Sequence, residues 1–425
     1  MNDFEKRMRG LYGVSAETYA DSERALAKVA PIFEKIEARG AYHRLRVLRA
    51  FQEAKFTESG FFGTTGYGYG DEGRDRIEEV YRLIFKSEKA LVRQHFSSGT
   101  HVLVTCLRGL LRPGDDILCV SGPVYDTLKP TMMPTDEADH GALRDFNISS
   151  RYVDLAADGG PDMAAIRAAV QKNTKILYIQ KSRGYTMRRA WLKRDIERII
   201  DLAAKLPQKP IVMVDNCYGE FVEDEEPTAY GADLVAGSLI KNPGGSIAPT
   251  GAYIAGRADL LDRIAEMMTA PGVGDHVGPT LGLNRIIAQG FFFAPRIVEE
   301  SLKSAVHAAC LFADAGYRVE PLWDDERGDI VQIIELLDPD KLIGFCEMIQ
   351  AAAPIDHFFA PVPAPMPGYD CDIIMASGSF IQGSSIELSA DGPLRDPYAV
   401  FLQGGVSFES GRLGSMLALD KIRRQ

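Results

Sequence analysis

No stretch of the 425 residues approaches about 18 uninterrupted apolar residues, which excludes a helix that crosses a membrane. The opening MNDFEKRMRGLYG lacks the apolar core of a signal peptide, so a soluble cytoplasmic protein is expected. Positive charge is also short: 48 Lys and Arg against 59 Asp and Glu leave a formal net charge of -11. Such a surface disfavours nucleic acid and anionic lipid, which both need basic groups to displace counterions. The six cysteines (Cys106, Cys119, Cys217, Cys310, Cys346 and Cys371) form no CxxC pair and read as reduced, mostly core thiols. Seven histidines without an HExxH pattern, and no Asp-rich loop of calcium-ligand spacing, predict that no metal is bound.

What is present is an α/β chain long enough for more than one hydrophobic core. Leu26, Val29, Phe33 and Ile36 recur at helical spacing, and AYHRLRVLRAFQEA continues the amphipathic pattern, predicting an N-terminal helical arm. GFFGTTGYGYGDEGRD is too rich in glycine for a helix or paired strand and predicts an ordered loop. From about residue 75, helices alternate with short apolar runs such as DILCVS, KILYIQ and IVMVD, the pattern of a mainly parallel sheet covered on both faces. A long helix after TAPGVGDHVGPTLG then leads to strands near DIVQIIEL, CDIIMASG and SSIELSA. The predicted organisation is an arm and glycine-tyrosine loop over residues 1–70, a large domain over 71–285, and a linker helix with a smaller α/β domain over 286–425.

Ligands in such sheets sit outside the carboxyl ends of the strands, where several chemically capable residues fall. Lys241 follows the apolar run DLVAGSLI and precedes small residues that would not solvate a surface charge, with Ser238 three positions earlier. Asp215 ends IVMVD, where a buried carboxylate needs a cation, and a protonated pyridine nitrogen is such a partner. Ser97, Ser98, Gly99 and Thr100 precede a helix whose N–H groups and dipole could cradle a phosphate. Tyr125, in GPVYDTL after DILCVS, could stack on an aromatic ring and serve as acid or base if a nearby cation lowers its pKa. Taken singly, each also reads as ordinary structure: a loop lysine, a turn cap, a helix cap and a core aromatic. A GxGxxG at Gly68, Gly70 and Gly73 follows a helical arm rather than a strand, so it is not a dinucleotide site; Tyr67 and Tyr69 within it could reach a phosphate.

With Lys241, Asp215, Ser98 and Tyr125 in this order, the chain resembles the methionine gamma-lyase-like proteins often labelled aluminium resistance proteins. These belong to the cystathionine-metabolism branch of fold-type I enzymes that use pyridoxal 5'-phosphate (PLP). GYGYGDEGRD, ALVRQHFSSGTH, VDNCYGEF, GSLIKNPGG, TAPGVGDHVGPTLG and SIELSADGPLRDPY carry the resemblance over nearly the whole chain. It implies that Lys241 holds PLP as a Schiff base, Asp215 pairs with the ring nitrogen, Tyr125 stacks on the ring, and Ser98, Gly99, Thr100 and Ser238 hold the phosphate. It implies further that Tyr67 or Tyr69 reaches the phosphate of a neighbouring subunit in a homodimer or homotetramer. Arg395 is the candidate for the substrate carboxylate, with Arg183 as competitor. The segments QHFSSGTH and IQKSRGY depart from the expected family pattern, which bears on substrate preference. A carbon–sulfur lyase of sulfur-containing amino acids is the leading reading. The alternatives are an aminotransferase or decarboxylase on the same scaffold and a non-catalytic metal-tolerance protein.

Overall fold

A computed structural model describes residues 3–134, 140–366 and 369–425. The arm is helical as expected: α1 spans Asp3–Tyr12 and α2 runs without a break through Ala16–Glu53. After the glycine-tyrosine loop, α3 covers Glu72–Phe85 and is capped by Asp71, whose carboxylate accepts from Arg74 N–H.

Among the described residues, seven strands form the large sheet: β1 (Lys89–Arg93), β2 (Asp116–Cys119), β3 (Ser149–Tyr152), β4 (Thr174–Gln180), β5 (Ile211–Asp215), β6 (Leu234–Ser238) and β7 (Ala252–Gly256). Their order is β1-β7-β6-β5-β4-β2-β3. β3, β2, β4, β5 and β6 run parallel, and β7 is antiparallel to both β6 and β1. β5 and β6 are buried along their whole length, as strands with both faces covered must be. α4 (Gly99–Leu110) lays Leu103, Leu107 and Leu110 into one core with Ile117, Ile176 and Ile254. The register Gln180↔Asp215↔Ala236 brings the carboxyl ends of β4, β5 and β6 side by side.

A second, antiparallel sheet has the order β10-β11-β12-β9-β8, from β8 (Arg318–Glu320), β9 (Gln332–Glu335), β10 (Ile373–Ala376), β11 (Ser389–Pro393) and β12 (Ala399–Gln403). The strand expected at SSIELSA begins only at Ser389. Before it the chain turns so that Glu387 can accept from Phe380 and Ile381 N–H.

Compact units divide the chain differently from its linear segments: Tyr42–Ala294 form one, and Met1–Ala41 join Pro295–Gln425 in the other. The early residues belong with the last helix (Phe408–Ile422) because Asp420 accepts from Ser15 N–H at 2.8 Å and from its hydroxyl at 2.7 Å. No helix among the described residues is long and apolar enough to cross a membrane.

The two glycine-rich loops of the larger unit interlock. A Cβ on Gly68 would lie 2.6 Å from Pro279 backbone atoms, and one on Gly63 would lie 2.6 Å from Gly282 N. Arg74 donates to the carbonyls of Gly68 (2.9 Å) and Gly278 (3.2 Å), while Asp71 accepts from Thr64, Thr280 and Asn284. These bonds hold the Asp71 carboxyl below its usual pKa in spite of burial.

Candidate active site

The carboxyl edge of the large sheet gathers four segments. Ser98 caps α4, its hydroxyl accepting from His101 N–H at 3.0 Å, so the helix starts with its free N–H groups at this edge. Gly99 lies against the end of β6 and the turn after β5: a Cβ there would be 3.4 Å from Ser238 Cβ and 3.6 Å from Cys217 Sγ. Ser238 Oγ is buried with no hydrogen-bond partner among the described residues. A helix start, a glycine and an unsatisfied hydroxyl together suit an anion.

Asp215 is buried at the end of β5. Burial drives its pKa up, against the Cys217 N–H at 3.1 Å, the charge of Lys241 and the Tyr178 hydroxyl at 3.4 Å. Its anion is therefore incompletely compensated, and an added cation would be welcome. Lys241 follows β6, and its Nζ lies 3.6 Å from the centroid of the Tyr218 ring. Burial works to lower the lysine, but Tyr218, Cys217 and Asp215 outweigh it and lift it to about 12.

Tyr125 stands in the turn after β2, with its N–H donating to Gln180 Oε1 at 2.8 Å. Its hydroxyl shares a 2.8 Å hydrogen bond with Thr100 Oγ1, tying it to the start of α4. Burial first, then the charge of Asp215, pushes its pKa well up, so the phenol keeps its proton.

Tyr67 and Tyr69 project from the interlocked loop, 74% and 65% exposed, their rings 5.7 Å apart. Arg183 is buried after β4, next to Gly184, where a Cβ would be 3.8 Å from Tyr125 Cβ. Arg395 belongs to the other compact unit and pairs with Asp370 at 2.8 Å. Sequence reasoning missed Tyr218, which takes the left-handed conformation (φ 70°) that places its ring under Lys241. It missed Gln180 as well; a glutamine closing an apolar strand gives no signal of its partner.

A family model described as methionine gamma-lyase matches residues 18–423. A crystal structure of a carbon-sulfur lyase involved in aluminum resistance from Clostridium novyi NT is 43% identical and superposes with a TM-score of 0.95, over 99% of this chain and 100% of that one. The YnbB protein of Bacillus subtilis (strain 168) is 43% identical over 399 residues, 94% of this chain and 95% of the relative. At 16% identity, metB from Corynebacterium glutamicum matches with a TM-score of 0.60 over 84% of this chain and 88% of that one, a likeness of fold.

Proposed function

Starting from a chain that belongs to the methionine gamma-lyase family and has the fold-type I scaffold, we propose that it is a PLP-dependent carbon–sulfur lyase acting on sulfur-containing amino acids, yielding thiol, 2-oxoacid and ammonia. The observation that carries this reading is the meeting of a half-buried lysine resting on Tyr218, a buried under-compensated aspartate and an anion cradle at one sheet edge.

The residues present fit PLP. Gly99, Thr100 and Ser238 would hold its phosphate, with Ser98 shaping the helix start; Asp215 would face the ring nitrogen and Tyr125 the ring. Bound PLP supplies an electron sink for the pair left on Cα when its proton departs. Lys241 would anchor the cofactor and would carry the Cα proton, and for γ-elimination a further proton from Cβ. Tyr125, held protonated by its buried setting, is a donor to the departing sulfur. The Tyr218 face steadies the lysine amine between these roles. Arg395 or Arg183 would take the substrate carboxylate through a bidentate fork.

Thiol and 2-oxoacid release from cystathionine, methionine, homocysteine and cysteine is expected for at least one of the four. Transamination or CO2 release with no thiol would replace the lyase reading.

The active unit is a homodimer, or a homotetramer built from it, with Tyr67 or Tyr69 completing a neighbour's phosphate site. Support comes from the exposure of Phe62, Tyr67, Tyr69 and Leu281 on the interlocked loops, apolar surface suited to a symmetric contact. Mixing Lys241→Ala with a Tyr67→Phe/Tyr69→Phe variant under subunit exchange should restore activity toward about half per hybrid dimer, since one site of each hybrid is intact. No recovery despite demonstrated exchange would place the tyrosines in their own subunit's site.

A further inference from the structure

Behind Asp215 and Lys241 the larger unit holds a buried polar network that the reaction above does not use. Its centre is Glu220, fully buried on the turn that follows Asp215. One oxygen, Oε1, accepts from the Tyr253 hydroxyl at 2.8 Å, and the other, Oε2, has no hydrogen-bond partner among the described residues. The backbone carbonyl of Glu220 accepts from Asn242 Nδ2 at 3.0 Å, and Asn242 is the residue after Lys241. On the far side, Asn216, the residue after Asp215, donates to Glu226 at 2.8 Å and to Tyr253 Oη at 3.2 Å. One network therefore joins the backbone on either side of the two groups assigned to the cofactor.

The sheet makes room for this carboxyl. A Cβ on Gly237 would lie 2.5 Å from Glu220 Oε1 and 2.7 Å from the Tyr253 ring, so β6 needs a glycine one residue before Ser238. The carboxyl is thus pressed onto the strand that delivers Ser238 and Lys241.

We propose that Glu220 is a positioning residue whose neutral, protonated carboxyl locks the Asp215–Tyr218 turn against β6 and keeps a second negative charge away from Asp215. This rests on the reading of Lys241 and Asp215 as the cofactor residues. The groups that face Glu220 explain its proton. Tyr253 of β7 and Tyr81 of α3 are neutral phenols; Glu226, Asp215 and Cys217 bring only negative charge or none. Lys241 is engaged by Asp215, and Lys181, after β4, is engaged by Glu223 at 2.9 Å and by the field of Glu226, itself shared with Arg46 of α2. Asp215, Glu220, Glu223 and Glu226 share two ammonium groups, Lys181 and Lys241, so a proton is left to be kept. Burial, then the charge of Glu226, lifts Glu220 to about 8.

The sign follows from linkage. A carboxyl whose pKa is raised on folding favours the folded state at low pH, and that advantage is lost as pH rises from the unfolded value toward the folded one. In cofactor-free protein, the melting temperature of Glu220→Gln should therefore gain on wild type steadily from about pH 5 to about pH 8 and level off above. In PLP-loaded protein, ionised Glu220 favours a proton at Lys241. The yellow absorption should accordingly bleach at a pH lower by about half a unit or more in Glu220→Gln than in wild type. Tyr253→Phe removes the hydrogen bond to Oε1 and should move the wild-type melting step to higher pH. Parallel melting profiles for wild type and both variants, or an unmoved bleaching midpoint in Glu220→Gln, would overturn the assignment. Wild type that binds no PLP would instead sink the cofactor reading and the positioning role with it, while the melting profiles still report whether Glu220 keeps its proton.

Discussion

Lys241→Ala is expected to abolish the absorption of bound PLP near about 420 nm and to leave no covalent adduct after borohydride reduction. The side chain is the amine of this sheet edge, resting on Tyr218 and facing Asp215, and turnover should fall by about 10²–10⁴-fold or more with the loss of a positioned proton carrier. Circular dichroism should stay native, because the backbone of the Asn242 turn is held independently by Asn242 Nδ2 on the Glu220 carbonyl. Persistence of a reducible adduct in the variant, located by mass spectrometry to another lysine, would move the anchor there.

The second large effect is expected at Asp215. Asn in its place keeps an oxygen for the Cys217 N–H and fills the same volume, so the protein folds. It cannot supply the charge that holds a ring nitrogen protonated, and kcat should fall by about 100-fold or more, as when one preorganised electrostatic partner is removed from an active site. Stability should move the other way. Burial raises the Asp215 pKa, so the ionised acid weakens the cofactor-free fold as pH rises above its unfolded value; the amide has no such penalty. At pH 7, cofactor-free Asp215→Asn should melt at or above the wild-type temperature while turning over poorly, the signature of a site that trades stability for function. A variant that keeps near wild-type turnover would mean that another group does the work.

The alternation of helices with short apolar strands was readable because sheets with both faces covered demand continuous apolar runs, and IVMVD and LVAGS are such runs. The positions of Asp215 and Lys241 were readable for a related reason: a charged residue at the end of a buried strand, or just past it, falls at the sheet edge. The departures have local causes. Tyr218 in a left-handed turn carries no propensity signal, since that conformation is imposed by the packing of its neighbours. Glu220 looks like any glutamate in the acidic run GEFVEDEE, and only the folded chain shows it facing Tyr253 across Gly237. The protonation of Tyr125 was left conditional on a nearby cation because its burial, and then the charge of Asp215, are visible only in the folded chain.

The interlocking of the two glycine-rich loops has a bearing on engineering. Because Gly68 packs on Pro279 and Gly63 on Gly282, while Arg74 stitches both backbones together, the loops around residues 62–71 and 278–284 behave as one part. A library randomising the first stretch alone meets a fixed wall, and a graft from a homologue keeps its donor's loop geometry only if both stretches travel together. Substitutions at the exposed Tyr67 and Tyr69 side chains leave the loop backbone in place, with the flanking glycines and Asp71 as the frame.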